Sequence, residues 1–177
     1  MPDPEREDIV IRRAVARDLP RVAELAGELV RMHHEADPSR FFLIDDVERG
    51  YAWWLSRELA RDGAVVLVAC RGDAVVGYAY GTLEDRDWNL LLDDYGAVRD
   101  VFVSEGERRT GVGRGLVEAV VAALEALGAP RIVLSTMIAN EPAQRLFRRC
   151  GFRATMLEMT RDADGGGQAR PRRREGS

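Results

Sequence analysis

The spacing of apolar positions changes period several times along this chain. Residues 9–14 (IVIRRA) lead with β-branched residues and read as a short opening strand. From Asp18, a residue type suited to capping, Leu19, Val22, Leu25, Ala26, Leu29 and Val30 recur at helical spacing until Asp37-Pro38-Ser39 breaks the run. A second helix from about Asp46 puts Val47, Tyr51, Trp54, Leu55 and Leu59 on one face and stops near Asp62-Gly63. Residues 64–70 (AVVLVAC) are continuously apolar, as a strand buried on both faces requires. Arg71-Gly72-Asp73 then turns the chain into a longer strand through Tyr78 and Tyr80 to about Leu83.

Residues 84–94 form a polar loop interrupted by Trp88 and residues 90–92, and residues 95–103 read as the next strand. After a charged loop, residues 113–127 repeat apolar positions as a helix that ends at Gly128-Ala129-Pro130. A buried strand over 131–136, a short helix over 141–149 and a last strand over 153–160 follow. The order β-α-α-β-β-β-α-β-α-β predicts an α/β fold with a mixed central sheet and helices on both faces. Residues 1–8 read as an N-terminal extension, 9–160 as one domain, and 161–177 as a disordered Arg-rich tail with almost nothing apolar to bury.

Composition narrows the chemistry mainly by what is missing. All 26 basic residues are arginine, which removes a P-loop lysine, a lysine Schiff base and a Ser-Lys dyad. The net charge of −4 gives no general pull toward nucleic acid, and no apolar run approaches the ~20 residues that span a bilayer, so neither nucleic acid nor membrane is an expected partner. Two distant thiols, Cys70 and Cys150, and an acidic N-terminus without an apolar segment point to a cytoplasmic address.

The segment with most chemical content is Arg108-Arg109-Thr110-Gly111-Val112-Gly113-Arg114, between a strand and a helix start. Glycines let the backbone curl and approach a ligand closely. The first helical turn offers unpaired N–H groups at the positive end of the helix dipole, a ready anion cradle, and arginines add charge-assisted bonds. A dinucleotide fingerprint belongs after the first strand, and here the turn comes late, behind hairpins. Arg108-x-x-Gly111-x-Gly113 resembles instead the R/Q-x-x-G-x-G/A signature of the GNAT superfamily of acetyl-CoA-dependent N-acetyltransferases. Asp100-Val101-Phe102-Val103 looks like that family's preceding strand, and Asn140 to Phe152 resembles its N-x-x-A-x-x-L-Y-x-x-x-G-F segment. Element order agrees from about Ile9 to Met159.

The resemblance implies a direct transfer in which a neutral amine of a small molecule or peptide attacks the acetyl-CoA thioester. By the same resemblance, backbone groups of Val101, Phe102 and Val103 pair with the pantetheine arm. The N–H groups of Arg109, Thr110, Gly111, Val112, Gly113 and Arg114 hold the pyrophosphate, beside Arg108. Asn140 reaches the pantetheine, and Ala143 and Phe147 line the thioester end. A homodimer is a common arrangement for such relatives. Phe147 departs from the pattern, because many relatives carry there a tyrosine that protonates the leaving thiolate, and phenylalanine has no proton to give. That departure sustains a rival reading, an acyl-CoA-binding sensor of the same fold without catalysis.

Asp100 is the candidate general base. His34, Trp54, Tyr80 and Glu84 are candidates for the acceptor pocket, with Asp85 and Asp87 beside Glu84. Glu105 and Glu107 precede the glycine turn and are expected to point to solvent. His33 and His34 are adjacent, so they face different ways and predict no metal site. Trp53, Trp54, Phe41 and Phe42 are expected to pack under the first two helices, and Cys150 to be a buried hydrophobe.

Overall fold

The computed structural model describes residues 8–162, so the expected N-terminal extension over residues 1–7 and the expected tail from 163 lie outside the described residues. Its elements are β1 (Ile9–Arg13), α1 (Leu19–Ala36), α2 (Val47–Glu58), β2 (Ala64–Arg71), β3 (Ala74–Glu84), β4 (Tyr95–Val103), α3 (Val112–Ala126), β5 (Ile132–Leu134) and α4 (Glu141–Arg149). One five-stranded sheet runs in the order β1-β2-β3-β4-β5. The first four strands pair antiparallel and β5 joins β4 in parallel, so the sheet is mixed as expected.

The continuous apolar run of β2 has the meaning read from it. Val66, Val68 and Cys70 pack with Leu25, Ala26 and Leu55 of α1 and α2 on one face. Val65, Leu67 and Ala69 pack with Leu116, Val120 and Leu124 of α3 on the other. Helices therefore cover both faces.

Two local expectations fail. Asp18 does not cap α1 through its side chain. Its buried carboxylate instead accepts a bidentate pair from Arg12 at 2.6 and 2.9 Å and the Val15 N–H at 2.8 Å, which outbids the helix end and holds the carboxyl below its usual range. Replacing it, Asp18→Ala, should cost about 2–4 kcal/mol. Thermal melting should then fall by about 4–16 °C in a chain of this size.

The second failure is the last strand. Residues 153–160 adopt no strand pairing and are exposed, with Met156, Leu157 and Met159 on the surface. The preceding edge, β5, is three residues long and offers almost no ladder. The apolar residues 156, 157 and 159 also gather on no single face of an extended chain. The segment is tied down by Glu158, whose carboxylate pairs with Arg40 between α1 and α2.

A bulge in β4 matters most for the site. The pairing steps from Gly81↔Val98 to Tyr80↔Asp100, leaving Arg99 as the extra residue. Bulges of this kind re-aim the side chains beyond them. Val98 faces α3, yet Val101 and Val103 share that face while Phe102 lies against α1 and α2. Asp100 is thereby turned to the α1–α2 side.

Candidate functional site

The glycine turn takes the shape its residues suggested. Gly111 has φ +95° at the start of α3, and Arg109 before it also sits in the left-handed region at φ 64°. Glycine meets no steric penalty in that region. A Cβ built at Gly111 would touch nothing within 4 Å, so the turn opens outward. The first amide here with a backbone acceptor is Gly115, which donates to Gly111 O at 3.0 Å. For the amides of 109–114, no acceptor exists among the described residues. The turn itself is braced by Thr110 Oγ1 donating to Glu107 O at 2.7 Å.

The arginines around it are differently employed. Arg108 folds back over the Phe102 ring and donates from Nε to Val103 O at 3.2 Å, while Arg114 pairs with Glu118. Of Arg108, Arg109 and Arg114, only Arg109 has neither an ion pair nor a side-chain hydrogen bond among the described residues. Glu107 departs from the solvent-facing expectation. It is largely covered and forms a bidentate pair with Arg71 of β2 at 2.7 and 2.8 Å, which turns its charge away from the amides. Glu105 is exposed.

Beyond Val98 the sheet splays. β5 pairs only with Gly96, Ala97 and Val98 of β4, so residues 99–103 have no neighbour on that side. Ser104 N–H donates to Val76 O, and antiparallel alternation then turns the N–H and C=O groups of Val101 and Val103 to the open edge. A cavity of about 130 Å³ fills the gap, lined by Asp100, Val101, Leu134, Asn140, Ala143 and Phe147 among others. Ala143 and Phe147 share one face of α4 at i, i+4 spacing. Asn140 Oδ1 accepts from Ala143 N–H at 3.2 Å, capping α4 and orienting the amide at the cavity wall. Phe147 is backed edge-on by Phe152 at 6.1 Å.

A second cavity of about 230 Å³ lies under α1 and α2, lined by Leu29, Val30, His33, Arg40, Phe41, Phe42, Tyr51 and Asp100. Leu29, His33 and Asp100 line both cavities, so the two meet at these side chains. Asp100 accepts from Tyr78 Oη at 3.1 Å. Burial pushes its carboxyl up, opposed by the Tyr78 and Tyr51 hydroxyls and by His33 and Arg99. The same burial, with Asp100 adjacent, raises both tyrosines, so they stay protonated donors. His33 Nδ1 donates to Leu29 O at 2.8 Å, since a carbonyl oxygen only accepts.

The structure thus brings Asp100, Val101, Asn140, Ala143 and Phe147 together, with 109–114 at the start of α3. The four acceptor-pocket expectations fall elsewhere. His34 engages Phe41 O at 2.8 Å and lines neither cavity. Trp54 packs edge-on between Tyr51 and Tyr80, Tyr80 donates to Glu58 at 2.5 Å, and Glu84 is taken up by Thr82 and Arg99. His33, Tyr51 and Arg40 stand in the cavity instead. Periodicity contained part of this, since Leu29 and His33 are four apart on α1; the choice between His33 and His34 depends on how α1 rotates against β4. Trp53 and Phe42 are exposed rather than packed, and Cys150 is only half-buried.

Comparison with known proteins agrees with this fold. Residues 27–152 match the family model described as the Acetyltransferase (GNAT) family. The chain is 27% identical over 158 residues to a phosphinothricin N-acetyltransferase of Streptomyces viridochromogenes, covering 85% of this chain and 78% of that one. Among solved structures, a tetramutant of the BH1408 protein of Bacillus halodurans superposes with a TM-score of 0.72 at 22% identity, over 87% of this chain and 99% of that one. AAC(6')-Iy, solved with the bisubstrate analogue CoA-S-monomethyl-acetylneamine, gives a TM-score of 0.71 at 18% identity, over 89% and 99%.

Proposed function

Because this chain belongs to the GNAT acetyltransferase family, we propose that it is a cytoplasmic N-acetyltransferase, with residues 9–160 acting as one domain on a primary amine. Acetyl-CoA, when bound, supplies an activated acetyl thioester that a neutral amine attacks directly. The observation that carries the reading is the set of unpartnered amides over 109–114 opening α3, continuous with the free edge of β4 and the cavity at Asn140, Ala143 and Phe147. A helix start with free donors suits a pyrophosphate, and an unpaired strand edge suits a pantetheine arm with its own amides. Arg108, lying across Val103 O, shares or releases that carbonyl when the arm binds.

Within the junction Asp100 takes the proton from the attacking amine. Its raised carboxyl is a better-matched base than an ordinary aspartate, and Tyr51 and Tyr78 hold it in place. His33 lines both cavities beside it. The Val101 N–H, turned to the open edge, is placed to polarise a carbonyl. Neither cysteine competes as a nucleophile: Cys70 is buried, and burial raises the Cys150 thiol.

The test is a thiol-release assay with acetyl-CoA across a panel of amines, with mass detection of the acetylated product. Release coupled to product supports transfer. Tight acetyl-CoA binding with no release on any amine favours the sensor. Phe147 gives a further check. Its ring lines the cavity, so Phe147→Tyr places a hydroxyl there and should raise kcat by about 10–100-fold if a missing acid limits turnover. An unchanged kcat would mean that the thiolate leaves without that help.

A further inference from the structure

The cavity under α1 and α2 carries one charge of each sign. Its single carboxylate, Asp100, stands at the junction with the second cavity, and its single guanidinium, Arg40, lies in the part that the second cavity does not share. Between them the wall is apolar, built from Leu29, Val30 and Phe41. We propose that the acceptor is an amine that also carries an anionic group, its nitrogen at Asp100, its hydrocarbon body along Leu29 and Phe41, and its anion on Arg40. This rests on the transfer reading above for the position of the nitrogen.

Three features support the assignment of Arg40. Its guanidinium is held over the Phe41 ring at 5.0 Å, which fixes its planar face at the cavity wall. Its present partner is the Glu158 carboxylate, bound through Nε and Nη2, so the site already holds a carboxylate in two-point geometry. Both partners are well exposed, and surface pairs of that kind contribute little net stability, so exchange for a carboxylate on the acceptor is cheap. A polycation fares badly in the same cavity. Asp100 is the one carboxylate among the lining residues, and the Glu158 carboxylate at the far end is already held by Arg40. Aminoglycosides and polyamines are therefore disfavoured, although the fold is shared with AAC(6')-Iy.

The experiment compares 4-aminobutanoate, 5-aminopentanoate and 6-aminohexanoate, each beside its carboxamide, with spermidine and neomycin as polycations. Acetylation is followed by thiol release, and binding to the CoA-saturated protein by calorimetry. At least one acid should exceed its carboxamide by about 10–100-fold in kcat/KM and in affinity. Arg40→Met should abolish that gap by raising KM for the acid to the level of its carboxamide. Glu158→Gln, which frees Arg40, should lower KM for the acid. Equal values for acid and carboxamide, a gap that survives Arg40→Met, or preference for the polycations would overturn the proposal. Carboxylate-dependent binding without thiol release on any amine would support this acceptor class while refuting transfer itself.

Discussion

Gly111→Val should weaken acetyl-CoA binding by at least about 100-fold in a calorimetric titration, the loss expected when two or more hydrogen bonds to a charged phosphate are displaced. Gly111 sits at φ +95° with open space around its missing Cβ, so the Cβ of a valine there meets no protein atom. It has two effects on the cradle. It occupies the space over the free amides, and it strains the left-handed turn by about 1–3 kcal/mol, pulling those amides out of convergence. Two companions separate these effects. Gly111→Asn tolerates the left-handed region but still carries a side chain, so its affinity should also fall sharply. Gly113→Ala adds a Cβ at ordinary contact, 3.4 Å from Leu146 and 3.7 Å from Val103, and should keep affinity within about threefold. Wild-type affinity in Gly111→Val would remove the cofactor from this loop.

Asp100→Asn should lose about 10²–10⁴-fold in kcat/KM and yet be more stable than the parent at neutral pH. The two outcomes have one cause. Burial raises the carboxyl above its ordinary value, so the folded state holds that proton more tightly than the unfolded chain. The sign follows directly: the stabilisation is complete below the unfolded value of ~3.9 and is lost as pH rises through the raised folded one. Asparagine accepts from Tyr78 and Tyr51 but has no charged form to desolvate. The two proteins should therefore melt alike near the acid end of the range, with Asp100→Asn gaining an advantage toward pH 7. Lost activity together with lowered stability at every pH would assign Asp100 a purely structural role.

Much of this architecture was legible because its signals are local. The helical spacing from Leu19 to Val30, the unbroken apolar run of β2 and the glycines at 111 and 113 each state their own conformation. What was hidden depends on partners distant in sequence. The bulge at Arg99 leaves no mark in composition, yet it turns Asp100 toward Tyr51 and Tyr78. Asp18 has the residue type of a helix cap, and only the arrival of Arg12 from β1 shows why it serves elsewhere. His33 and His34 are indistinguishable until α1 docks, and Arg40 lies in a linker whose periodicity says nothing of a cavity. The missing last strand has the same origin: a strand forms only where an edge receives it, and β5 is too short.

Hydrogen–deuterium exchange on the full chain, with and without saturating acetyl-CoA, tests the central claim most directly because it reads the amides themselves. Slowed exchange is expected in the peptide spanning residues 109–114 and in that spanning 101–103, with little change in β1 or β2. Tight binding that leaves the exchange of 109–114 unaltered would contradict it.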